Sequence, residues 1–84
     1  MLHKDIFSIR LKKLRKAAGE QQKDLAEAIQ MAQTQVSAIE NGKQGTSFDK
    51  LAAICIHYNV SADYLLGLVD EPRPLNDEKK EGTL

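Results

Sequence analysis

Gln33, Thr34, Gln35 and Ser37 place two carboxamides and two hydroxyls, and no charge, within five residues. A carboxamide donates and accepts at fixed spacing, so a glutamine matches N6 and N7 of adenine, and hydroxyls suit several base edges. Catalytic chemistry is harder to assemble. It needs a nucleophile beside a base, or paired carboxylates in a pocket. His3 lies near a terminus, and His57 reads as a surface or capping residue. Cys55 and His57 sit two residues apart, on different faces of a helix, with no further ligands flanking them. Gly42 and Gly45 do not make a nucleotide loop. No catalytic residue, metal site or cofactor is expected.

The elements that would carry the polar face follow from the stretch Gln22–Lys43, QKDLAEAIQMAQTQVSAIENGK. Leu25, Ala26 and Ile29 share one helical face, and Val36 and Ile39 share another. Gln30-Met31-Ala32 between them leaves room only for a sharp corner. The small Ala26 suits a close helix crossing. The whole chain reads as five helices and a tail. Helix 1 is expected from about Ile6 to Ala18, with the stripe Phe7, Leu11, Leu14 and Ala18, Asp5 capping its start and Gly19 its end. Helix 2 is expected over Gln22–Ile29 and helix 3 over Gln33–Asn41, stopped by Asn41-Gly42. Helix 4 follows the N-cap Ser47 and buries Phe48, Leu51, Ile54, Cys55 and Tyr58, ending at Asn59. Ser61 caps a short helix 5 with Tyr64 and Leu65. No strand pattern appears.

At 84 residues the chain makes one small domain, residues 1–69, followed by a flexible charged tail, 70–84. The 42% of hydrophobic residues are too dispersed for a membrane span. The first ten residues carry no apolar core of a signal peptide. The single cysteine, Cys55, is expected to fill the core, and a reducing, cytoplasmic setting follows. Net charge is zero, yet residues 1–16 hold Lys4, Arg10, Lys12, Lys13, Arg15 and Lys16 against Asp5, a local balance of +5. A basic end on a neutral chain is compatible with phosphate binding.

RLKKLRKAAG (10–19), Gln22 with LAEAI (25–29), VSAIENGK (36–43) and LAAICIHYNVSADYLLG (51–67) together resemble the Cro/C1-type (xenobiotic-response-element) helix-turn-helix family over residues 7 to about 68. The resemblance implies an all-α, compact five-helix, lambda-repressor-like domain that inserts helix 3 into the major groove of double-stranded DNA. It implies a transcriptional regulator, acting as a repressor and homodimer on a two-fold operator near the nucleoid. By position, Gln33, Thr34 and Ser37 would face bases, with Gln35 pointing sideways toward the backbone. Gln22 and Lys23 at the start of helix 2, and Asn41, Lys43 and Gln44 in the following loop, would hold phosphates. Arg15 and Glu40 would form an ion pair joining helix 1 to the end of helix 3.

The chain departs from the family at the turn, where Gln30 replaces glycine, and at two caps, where Gln21 and Ala32 stand for serine or threonine. Ala38 replaces a polar residue. These changes imply modest stability. Leu65, Leu66, Leu68 and Val69 are more apolar than a last helix requires and are candidates for self-association, although Leu65 also suits the monomer core. An alternative reading is an antitoxin-like or anti-repressor protein whose tail folds on a protein partner.

Overall fold

A computed structural model describes residues 3–75, with side chains from Asp5 onward. Short amphipathic segments meet around one core: α1 (His3–Ala17), α2 (Gln22–Ala28), α3 (Gln33–Glu40), α4 (Phe48–Tyr58) and α5 (Ala62–Leu65). α2 packs on α3, α1 crosses α3 and α5, and α4 meets α5. Leu11, Leu25, Val36, Ile39, Ile54 and Leu65 fill the centre, and Cys55 is buried beside them. Helices of four to eight residues are not stable alone, so this shared core is what holds them helical.

Each helix ends in the same way. A residue one or two beyond the last helical position adopts a left-handed conformation: Gly19, Gln30, Gly42, Asn59 and Gly67. Paired backbone bonds close each end, as in Gly42 N–H to Ile39 O at 3.0 Å and Lys43 N–H to Ala38 O at 2.9 Å. This Schellman arrangement satisfies carbonyls that would otherwise be orphaned. At Gly67 there is a second constraint, because an added Cβ would stand 3.0 Å from Ile6 Cδ1. Gln30, at φ 57°, holds a conformation that glycine adopts without strain, as its departure from the family pattern implies.

Several sequence expectations need correction. α1 begins at His3, so Asp5 lies within its first turn, where it favours the helix dipole, and not at the cap. Ala18 is exposed beyond the helix end. Phe48, placed in the α4 stripe by its spacing, is 88% exposed, because the core is already closed by Leu51, Ile54 and Cys55. Ser61 occupies the N-cap position of α5, but its side chain makes no capping bond. Its hydroxyl donates to the Asp63 carboxylate, which this bond, and then the nearby Arg73, holds below the usual carboxylate range.

The first residues of the expected tail lie on the domain. Ser61 N–H bonds to Arg73 O at 2.7 Å and Leu75 N–H to Asn59 O at 3.3 Å, so 73–75 run antiparallel to 59–61. Arg73 also pairs with Asp63. Residues 76–84 lie outside the described part. Replacing the left-handed glutamine, Gln30→Gly, should relieve backbone strain of roughly 1 kcal/mol. A thermal melt should then shift upward by about 4–8 °C.

Candidate nucleic-acid interface

α2 and α3 both start without a capping side chain at the preceding residue. Each is closed from within by its third residue. Asp24 Oδ2 accepts from Gln21 N–H at 2.8 Å, and Gln35 Oε1 accepts from Ala32 N–H at 3.1 Å. This is half of a capping box and it offsets the weak caps at Gln21 and Ala32. It also settles the direction of Gln35: its carbonyl oxygen is turned back onto its own helix start, leaving only the amide nitrogen for another partner.

Gln33 and Thr34 stand exposed on the first turn of α3. Ser37 is half-buried one turn on and accepts from Asn41 Nδ2 at 3.5 Å, at the outer edge of hydrogen bonding. Val36 and Ile39, on the opposite side, are 1% exposed. The helix therefore has an anchored face, with Val36 and Ile39, and an exposed polar face led by Gln33 and Thr34. Lys23, Asn41, Lys43 and Gln44 are exposed around it.

The end of α3 is fixed by a buried cluster. Arg15 Nε and one guanidinium nitrogen donate to the two oxygens of Glu40, at 2.7 and 3.0 Å. The side chains are 10% and 1% exposed. Arg15 also donates to Glu20 O at 2.7 Å. The Glu40 bond, acting against desolvation, raises the guanidinium pKa further. Gln22 Nε2 donates to Glu40 Oε1 at 3.1 Å. The resemblance offered Gln22 as a residue that touches a phosphate and braces the recognition helix; its amide nitrogen makes the bracing bond, so that α1, α2 and α3 meet on one carboxylate. Ser8, buried on α1, donates to Ile39 O.

Three further anchors were not legible in the sequence. Lys50 Nζ donates to Ile29 O at 2.8 Å and Gln30 O at 2.9 Å, capping the end of α2 from α4. The partners are about twenty residues apart, so no local pattern could show this. Glu20 accepts from Tyr58 Oη at 2.7 Å and lies 2.7 Å from His57 Nε2, tying the α1–α2 turn to the end of α4. Burial first, and then Glu20, push the Tyr58 phenol well above its ordinary pKa. Arg10 donates to Tyr64 O and, at 2.7 Å, to Val69 O, with its guanidinium carbon 4.4 Å from the centre of the Tyr64 ring. Two cations of the basic N-terminal run, Arg10 and Arg15, are thus spent inside the molecule, while Lys12, Lys13 and Lys16 face solvent.

The apolar residues near the end divide as well. Leu65 is a core residue with no exposed surface, buried beside Tyr64 of the same helix. It cannot meet a second copy. Val69 packs partly against the core. Leu66 and Leu68 are 37% and 67% exposed. Among the described residues no helix is long and apolar enough to cross a membrane.

A family model described as helix-turn-helix matches residues 11–65. The chain is similar to the uncharacterized HTH-type transcriptional regulator YobD of Bacillus subtilis (strain 168), 39% identical over 74 residues, covering 88% of this chain and 66% of that protein. It is also similar to the HTH-type transcriptional regulator ImmR of the same organism, 40% identical over 58 residues, covering 69% of this chain and 46% of that protein. It therefore spans about half to two thirds of these relatives' length. The crystal structure of the clp gene regulator ClgR from Corynebacterium glutamicum superposes with a TM-score of 0.73 at 26% identity, over 79% of this chain and 70% of that one.

Removing one partner of the α1–α3 cluster leaves an uncompensated buried charge. Glu40→Ala should therefore lower unfolding free energy by about 3–5 kcal/mol in urea denaturation. Truncating the exposed Gln33 should leave stability within about 0.5 kcal/mol. An equal loss in both variants would contradict the structural role of the pair.

Proposed function

The chain belongs to the helix-turn-helix family, and we propose that it binds double-stranded DNA in a sequence-specific way and regulates transcription, acting as a repressor. The observation that carries this reading is the exposure of Gln33 and Thr34 on a helix whose opposite face and far end are locked to the core. A recognition helix must enter the major groove at a fixed tilt, and a rigid seat supplies that tilt before the duplex arrives. Gln33, at the start of α3, reaches base edges first, and Thr34 and Ser37 follow along the groove. Gln33 suits adenine through paired donor and acceptor contacts. The Ala38 methyl offers an apolar contact to a thymine methyl.

Lys23, Asn41, Lys43 and Gln44 then grip phosphates on either side, setting register without reading sequence. Gln22 acts from behind, through Glu40. On a two-fold operator a homodimer would place two copies of α3 about 34–36 Å apart, one turn of the duplex. In this reading the chain works by binding and not by catalysis, needs no cofactor, and resides with the nucleoid in the cytoplasm.

About four to six phosphate contacts per subunit predict that log Kd rises with log salt at a slope near 4 to 5 per subunit, measurable by fluorescence anisotropy. A flat dependence would refute the phosphate grip. Gln33→Ala should relax preference at one base position by roughly 1–3 kcal/mol in a competition against single-base operator variants. A uniform loss across all variants would remove Gln33 from the reading set.

A further inference from the structure

Phe48, Ala52 and Ile56 are spaced four residues apart and all lie exposed along one side of α4, with Phe48 88% and Ile56 69% exposed. Beside them Leu75, held in place by its bond to Asn59 O, is 50% exposed. Together they border an open groove of about 340 Å³ floored by Leu51 and Cys55, and no charged side chain lines it. Singly exposed apolar residues are ordinary, but a contiguous uncharged patch marks an interaction surface.

We propose that this face docks a second copy of the chain, α4 against α4 in antiparallel orientation across Ala52. The pattern is self-complementary. A two-fold axis at Ala52 sets Phe48 of one copy against Ile56 of the other, and the reverse, which is what an isologous contact requires. The four-residue ridge suits interdigitation with its own copy, and the small Ala52 at the crossing allows close approach. The exposed parts of Phe48, Ile56 and Leu75 from two copies amount to on the order of 800 Å². That is most of the roughly 1,200 Å² at which specific interfaces begin, and the rim around them supplies the remainder. The segment 76–84, NDEKKEGTL, is a poor occupant, since it carries five charges and a single large apolar residue. Leu66 and Leu68, suggested by composition, lie outside this groove.

The test contains no DNA, so it can fail independently of the proposed function. Sedimentation velocity of the full chain from about 10 μM to about 1 mM covers the range of a small interface. The unaltered chain should pass from monomer to dimer. Phe48→Glu and Ile56→Glu should each weaken the dimer at least about tenfold without shifting the thermal melt, because neither side chain belongs to the core. Ala52→Cys should form a disulfide-linked dimer on oxidation, while the buried Cys55 of the unaltered chain does not. A chain that stays monomeric throughout would overturn the proposal. So would a dimer broken by Leu68→Glu but not by Phe48→Glu, or one that forms only after removal of 76–84.

Discussion

One buried carboxylate organises this molecule. Glu40, 1% exposed at its side chain, receives both prongs of the Arg15 guanidinium and the amide of Gln22. A carboxylate taken out of water is costly unless nearly every lone pair is met, and three helices must be in register to meet them. The cluster is therefore less a source of net stability than a condition on geometry. If α1, α2 and α3 are displaced, the charges lose their partners. The orientation of the free face of α3 follows from that condition. Gln22 shows how a polar residue beside an interface can serve it from inside.

The remaining constraints act at helix ends. With α5 four residues long and α2 seven, most backbone groups lie within a turn of a terminus. The five left-handed endings, the inward caps of Asp24 and Gln35, and the Lys50 ammonium on the two carbonyls that follow α2 satisfy many of those groups. Lys50 matters doubly, because it fastens α4 to the turn between α2 and α3. Its two acceptors, the carbonyls of Ile29 and Gln30, sit at the corner that sets the angle between these helices.

Charge is sorted by the same logic. A chain of zero net charge turns Arg10 and Arg15 onto backbone carbonyls and Glu40, and leaves Lys12, Lys13 and Lys16 outside. Arginine suits this inward role because its planar fork makes several directed bonds at once, whereas a lysine offers a compact ammonium, used here at Lys50. The apolar surplus is sorted too. The short helices close their core with one or two residues each, so Phe48 and Ile56 are left over on the outside of α4.

Residue spacing alone determined the number and order of the helices, the buried faces of α2 and α3, and the core role of Cys55, because a 3.6-residue period and left-handed stop residues are local properties. It also marked the free polar face carrying Gln33 and Thr34. The family likeness added the Arg15–Glu40 pair, which periodicity could not show. Tertiary structure decided the rest: that Gln22 and Gln35 turn their amides inward or back on their helix, that Lys50 holds a turn twenty residues away, that Leu65 is core, and that Phe48 is not. Each of these depends on which groups arrive beside one another after the helices pack. That is set by the competition for limited buried volume and for unsatisfied backbone groups, a property of the assembled fold and not of any single segment.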